Sequence, residues 1–432
     1  MNEHWPEISL SQLATITMGQ SPEAACVSTD ERGLAFLQGC AEFGARVPSP
    51  KLHCSPPLRV AKAGSVLISV RAPVGTTNFA DQDYCIGRGL GAVTAKPEAA
   101  DNIFLLHAME KNVGFLHRRS QGSTFLAIGS KELSALPVPA LPLATQRRIA
   151  KILSTVDEAI DQTEALIAKY QQIKAGLMQD LFTRGLSPEA SAKGDVTWTL
   201  RPTRTQALHF YNESPLGWIP KEWEVKPLRD IATYQHGQPF PSTDYSDEGV
   251  LLLRPGNLHV SGVVRFDATH TTRIPQRWLR DCPELTVKQN DIVMNLTAQS
   301  LEDQFLGRVC IVKDGEPSLL NQRIARFFPR QVDHHFLYWI LRSLQFRNQI
   351  DRTAQGTKVQ HLYNSDLNRV MFAIPKSQQE QERVAGLLLT ATESLVAGES
   401  SIAKLRQQKQ GLMQDLLTGR VRVKVGEAEE QS

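Results

Sequence analysis

Residues 176–183 read GLMQDLFT, and residues 411–418 read GLMQDLLT. The chain thus writes one phrase twice, a little over half its length apart. The match is not confined to those residues. Carried upstream at the same offset, Gln146 falls on Gln381, Arg148 on Arg383, Ala150 on Ala385, Leu153 on Leu388 and Lys174 on Lys409. The phrase is the end of a long repeated segment, and an internal repeat governs every later inference about the fold.

Within the segment, apolar residues recur at alternating steps of four and three. The first copy gives Ile149, Leu153, Val156, Ile160, Ile167, Tyr170, Leu177 and Leu181, with polar Thr163 and Lys174 in the two remaining slots. The second gives Val384, Leu388, Ala391, Leu395, Ile402, Leu405, Leu412 and Leu416, with Gly398 and Lys409 in those slots. An apolar period of 3.5 sustained over several heptads predicts a coiled-coil seam. The two polar lysines are expected to snorkel beside it. Each copy should form one helix of about 55 Å at 1.5 Å per residue. Proline-rich lead-ins, LPVPALPL and FAIPKS, precede both copies, and TRGLSP closes the first. Two such helices in one chain can pair antiparallel, which would relate the two halves by a pseudo-two-fold axis. The alternative is that each helix packs only on its own globular part.

Those globular parts repeat more loosely. The run WPEISLSQLA from Trp5 matches WEVKPLRDIA from Trp223 in pattern, and Gly19-Gln20 then falls on Gly237-Gln238. Further on, Gln121-Gly122-Ser123 corresponds to Gln355-Gly356-Thr357, and Glu132-Leu133 to Asp366-Leu367. Between these anchors the halves share little beyond β-branched runs such as GSVLISV (64–70) and NDIVMNL (290–296). Constant edges with unrelated middles suggest one scaffold presenting two different surfaces. The predicted fold class is mixed α/β, with two sheet-based modules each followed by a long helix. The expected division is 1–140 first module, 141–185 first helix, 186–213 linker or loosely packed crossover, 214–375 second module, 376–420 second helix and 421–432 tail.

Composition bounds the function without deciding it. The 432 residues are 41% hydrophobic and 22% charged, ordinary for a water-facing globular chain of two or three domains. Net charge is only +3, so any nucleic-acid partner would be met by a local basic face. No signal peptide and no membrane-length apolar run is read, and the six cysteines form no CxxC pair, which points to reduced thiols in the cytoplasm. No metal site is expected.

Catalytic motifs are missing as well. There is no GxxxxGK[ST] loop, HExxH, GxSxG or DxDxDG, and IGRGLGAV (86–93) lacks the GxGxxG spacing. No catalytic residue is assigned. The variable middles are instead rich in arginine and amide side chains, the groups that neutralise phosphates and read base edges. The DNA-binding candidates are Arg71, Arg88, Arg118, Arg119 and Gln121 in the first middle. In the second they are Arg254, Asn257, Arg277, Arg308, Gln322, Arg323 and Lys358. Arg88 in GRGL and Arg323 in NQRIA stand out because they fall at corresponding places.

Taken together, SPLGWIPKEWEVKPLRDIA (214–232), QGTKVQHLYNSDLNRVMFAIPKSQQEQERVAGLL (355–388), LPLATQRRIAKIL (141–153) and the twin helices ending in GLMQDL carry a resemblance. The chain resembles the DNA specificity subunit of type I restriction–modification systems. The likeness spans the whole architecture, although the lead-in SPLGWIP has no counterpart before Trp5. It implies two target-recognition domains, each reading one half of a split, asymmetric site in double-stranded DNA. It further implies paired helices that hold the domains apart and dock two modification subunits, which methylate adenine with S-adenosylmethionine. Restriction subunits, driven by ATP with Mg, would cut unmodified DNA. No cofactor is then expected in this chain, and no membrane partner. Two other readings stay open on the residues alone: a regulatory protein that binds such subunits without reading sequence, and an enzyme with an unrecognised centre.

Overall fold

In the computed structural model the structure describes residues 4–119, 127–190, 196–298, 304–313, 315–353 and 360–424. The repeated segment forms two α-helices of 41 residues each, Leu143–Thr183 and Gln378–Thr418. Two compact units result: Met1–Leu166 with Gly398–Ser432, and Ile167–Ala397. Each helix therefore begins in one unit and ends in the other.

Along both helices the seam positions are the shielded ones. Ile149, Leu153 and Leu181 are buried, and Val156, Ile160, Thr163, Ile167, Tyr170, Lys174 and Leu177 are half-buried. On the second helix Val384, Leu388, Leu395 and Leu416 are buried, while Ala391, Gly398, Ile402, Leu405, Lys409 and Leu412 are half-buried. Pairing direction can be read inside each unit. In the first, Ile149 and Leu153 from the start of one helix share a core with Leu416 and Leu417 from the end of the other. In the second, Leu181 and Phe182 share a core with Val384 and Leu388. Start meets end in both, so the helices run antiparallel. The start of each helix is sealed into the core of the module before it and the end into the core of the other module, so packing on its own globular part alone is ruled out.

The repeated glutamines explain how helix and module are joined. Gln146 Oε1 accepts the backbone N–H of Asp101 at 3.1 Å, and its Nε2 donates to Leu141 O at 2.8 Å. Gln381 does the same with Asp333 N and Pro375 O, both at 2.8 Å. Asp101 and Asp333 are in turn the N-caps of the module helices Asn102–Lys111 and His334–Ile340. A fully buried amide can persist only when both its donor and its acceptor are used, as here.

The polar seam slots behave differently in the two units. Lys174 lies 5.0 Å from the centre of the Trp339 ring, an attraction between cation and π-face. Lys409 makes ion pairs with Asp157 at 2.8 Å and Glu110 at 3.3 Å, with His107 against Glu110 at 3.4 Å. Burial pushes the Glu110 carboxyl up, but the hydrogen bond with His107 and the charge of Lys409 outweigh it, leaving the group below its ordinary value. Burial pulls the Lys409 ammonium down, but Glu110 and Asp157 outweigh that and raise it.

The sign of the linkage follows. Glu110 contributes stability that is complete above its unfolded value and is lost as pH falls through the depressed folded one. Lys409 contributes stability that is complete below its unfolded value and lost as pH rises through the raised one. The Glu110→Gln variant should therefore be less stable than the parent at neutral pH, with the gap closing as pH falls through the depressed carboxyl value. Urea unfolding across that range checks it; a gap independent of pH would show that Glu110 contributes only packing.

Part of the stretch expected as a linker is instead structured. Leu186–Ala190 pairs antiparallel with Val196–Leu200. Leu186 is buried in the second unit's core, with Trp198 and Leu200 against it. Trp198 and Leu200, two residues apart, turn the same face of this ribbon toward that core, while Val196 at its outer end is exposed. Behind it Arg201 and Glu380, 2% exposed each, form a two-pronged ion pair at 2.6 and 2.9 Å. Glu380 also accepts Leu186 N at 2.9 Å and Trp223 Nε1 at 3.0 Å. Gly185 has φ +63° and faces this cluster so closely that any Cβ would strike Glu380, Arg201 and Trp223. At the end of the second helix Gly419, φ +83°, packs on Trp5, where a Cβ would lie 3.0 Å from the ring.

The two modules share one topology. In the first, an antiparallel sheet runs in the order Ala14–Met18, Leu90–Ala95, Val66–Ser69, Thr77–Phe79. In the second the order is Ala232–His236, Ile324–Pro329, Ile292–Asn295, Val309–Ile311. Each has a second sheet built around a parallel pair: Leu34–Leu37 with Tyr84–Ile86, and Val250–Leu253 with Ser318–Leu320. Edge strands at the module's start and finish pair as well, Glu7–Ser9 with Pro137–Pro139 and Trp223–Pro227 with Met371–Pro375.

Candidate nucleic-acid interface

The carboxyl ends of a parallel strand pair are where chains in open sheets turn outward and leave room for a ligand. In the first module Leu37 lies opposite Ile86, and the next residues out are Gln38 and Gly87-Arg88-Gly89. In the second Leu253 lies opposite Leu320, followed by Arg254 and Asn321-Gln322-Arg323.

One set of backbone hydrogen bonds ties these turns together in both modules. Gly87 N donates to Leu37 O at 2.7 Å, Gly19 N to Leu90 O at 2.8 Å, Gln20 N to Ile86 O at 3.0 Å and Val70 N to Gly89 O at 2.9 Å. The counterparts are Asn321 N to Leu253 O at 3.2 Å, Gly237 N to Ile324 O at 3.1 Å, Gln238 N to Leu320 O at 3.3 Å and Leu296 N to Arg323 O at 2.9 Å. Gly19 and Gly237 are required by the approach itself: a Cβ on either would collide with the backbone oxygen of Gly87 or Asn321. The repeated Gly-Gln dipeptide seen in the sequence is thus the hinge pin of each turn cluster.

This ladder corrects one expectation. It places Gly87 with Asn321, Arg88 with Gln322 and Gly89 with Arg323, so Arg88 and Arg323 are one residue out of correspondence. It also matches Gln38 with Arg254 and, through Val70 and Leu296, Arg71 with Thr297. Gln20, Gln38, Arg71 and Arg88 are exposed, as are Arg254, Gln322 and Arg323. Arg254 lies beside Tyr245, its guanidinium 5.4 Å from the ring centre, and donates to Thr272 Oγ1 at 3.0 Å. Gln238 is half-buried, with its amide donating to Cys282 Sγ at 3.0 Å.

The remaining candidates divide. Asn257 is 1% exposed; its Oδ1 accepts Arg254 N at 2.8 Å and its Nδ2 donates to Arg265 O and His270 O at 3.1 and 2.9 Å. It braces the loop under Arg254 and has no face left for DNA, which overturns its assignment as a contact residue. Arg308 is half-buried against Phe305 and donates to Leu258 O at 3.3 Å, an internal role. Arg277 is exposed and paired with Asp244 at 2.6 Å. Arg118 and Arg119 are exposed at the end of the helix Val113–Arg119, with the Arg119 guanidinium 4.0 Å from the Phe115 ring centre. Gln121 and Lys358, with the repeated QGS and QGT stretches, lie outside the described residues. Sequence reasoning missed Gln20 and Gln38. For Gln20 the signal was present in the repeated Gly-Gln; for Gln38 there was none.

Each module, built on the same topology, thus presents a turn cluster bearing exposed amide and guanidinium groups. Among the described residues no helix is long and apolar enough to cross a membrane. The chain matches the family described as "Type I restriction modification DNA specificity domain" over residues 58–175 and again over 220–399. The MjaVIII type I restriction enzyme specificity subunit of Methanocaldococcus jannaschii is 26% identical over 332 residues, covering 76% of this chain and 72% of that one. The EcoBI specificity subunit of Escherichia coli is 20% identical over 410 residues, covering 94% and 82%. The type I restriction–modification S subunit from M. genitalium has the same fold, with TM-score 0.62 at 16% identity over 96% of each chain. The protein belongs to the type I restriction–modification DNA specificity family.

Proposed function

We propose that this chain reads a split, asymmetric site in double-stranded DNA, one half per module, and thereby directs adenine methylation and restriction carried out by partner subunits. Two modification subunits would hold S-adenosylmethionine, and restriction subunits would use ATP and Mg; this chain supplies the address and no chemistry. The observation that carries the reading is a single backbone frame, built twice, whose exposed ends bear different hydrogen-bonding side chains. Phosphate contacts position a protein and base-edge contacts specify its sequence, and amide and guanidinium groups supply the second kind. Exposed apolar side chains on the helices support docking of partners: Ile173 at 43%, Leu387 at 45% and Val396 at 45%.

The test is a map of methylated adenine in the host genome with and without the gene. A split motif that vanishes on deletion is expected; a motif that persists would overturn the proposal. The helices should also set the unread spacer. Adding a heptad to each, near Ile167 and Ile402, lengthens them by about 10 Å and should widen the spacer by about 3 base pairs. An unchanged spacer would show that the helices do not act as a ruler.

A further inference from the structure

The matched turns differ in the side chains they carry. At the position after the first parallel strand the first module carries Gln38 and the second Arg254; at the position after the second strand the first carries Arg88 and the second Gln322. The same two side-chain types stand in opposite order on the same backbone frame.

We infer that positions 38 and 88 in the first module, and 254 and 322 in the second, are base-reading positions, and that this exchange of amide and guanidinium makes the two modules read different half-sites. The inference rests on the proposed reading of split DNA and adds to it which residues set the words.

The physical grounds are three. A guanidinium offers paired donors matched to O6 and N7 of guanine, whereas a glutamine amide offers one donor and one acceptor matched to N6 and N7 of adenine. Swapping the two therefore changes the preferred base without changing the reach of the loop by much. The loops are also held rather than free: each position is flanked by a backbone hydrogen bond of the ladder, Gly87 N to Leu37 O and Asn321 N to Leu253 O. Discrimination needs such fixed placement, because a mobile side chain would satisfy itself on any base. Finally, all four side chains are exposed at the carboxyl ends of parallel strands, and Asn257 braces the loop bearing Arg254 from below. Arg71 and Arg323 stand beside the readers in one module each and have no arginine counterpart in the other, so the two surfaces differ in charge placement as well.

The experiment uses the full chain assembled with its modification subunits. In one variant Gln38→Arg is combined with Arg88→Gln; in the other Arg254→Gln is combined with Gln322→Arg. Methylated motifs are read genome-wide. The first variant should change bases in one half-site only and the second in the other half-site only. An unchanged motif with methylation intact would overturn the inference. A parent complex that yields no split motif would instead overturn the underlying reading, so the two failures are distinguishable. Should either double variant abolish methylation, Arg88→Ala is tested by competition with duplexes carrying single base-pair changes. The penalty at one base pair of one half-site should fall by roughly 5- to 150-fold. If every penalty is retained, position 88 is not a reader and the inference fails.

Discussion

Replacing Glu380 with alanine should cost the second unit about 3–5 kcal/mol, the expected effect of stripping the partner from a buried ion. Glu380 holds four donors at once: both terminal nitrogens of Arg201, the indole of Trp223 and the backbone of Leu186. Alanine would leave Arg201, only 2% exposed, with no carboxylate but that of solvent-exposed Glu222, 3.4 Å from its Nε. The Glu380→Gln variant should recover little, because its NH₂ group meets another donor where an oxygen stood. The double replacement Arg201→Met with Glu380→Leu should be milder than Glu380→Ala, since two apolar groups leave no charge stranded. Hydrogen exchange of the Leu186–Ala190 and Val196–Leu200 amides, read against urea, measures this locally. A single variant that loses less than about 1 kcal/mol would mean that water reaches Arg201 and that the pair is not sealed.

Leu153→Ala and Leu388→Ala, at the same place in the two copies of the repeat, should each lose about 2–5 kcal/mol. Both side chains are 0% exposed, and each lies where a helix end enters a module core. Removing three carbons there opens a cavity whose walls belong to sheet and helix alike and cannot close independently. Ile160→Ala, at a half-buried seam position away from the cores, should lose clearly less. Denaturant unfolding of the three variants checks the order. Equal losses would show that the seam is as tightly packed in its middle as at its ends.

The seam was legible because it is periodic. Every apolar position singled out from the 3.5 spacing is buried or half-buried, and even the polar slots Thr163, Lys174, Gly398 and Lys409 are shielded. What the spacing could not show is chemistry from outside the helix: Lys409 is met by Glu110 of the module, and Lys174 by Trp339. The pairing of Arg201 with Glu380 joins residues 179 apart and follows no pattern along the chain. The pairing of 186–190 with 196–200 was hidden behind Pro188 and Gly194, although the alternation in VTWTL was there to be read. In the turn clusters, the side chains Arg88 and Arg323 were aligned on their likeness, whereas hydrogen bonds align residues by position. Asn257 was misread for the same reason: its residue type suits a base edge, and only its burial shows that backbone has claimed it.

That each helix starts in one unit and ends in the other has a consequence for how the chain is made. The first unit needs residues 398–418, which leave the ribosome roughly 230 residues after Leu166, a delay on the order of 10–50 s at ordinary elongation rates. Through that interval Ile149 and Leu153 have no Leu416 to cover them. The part of the protein born first is therefore the part completed last. The nascent chain is exposed for that time to any other copy that offers the same missing strip.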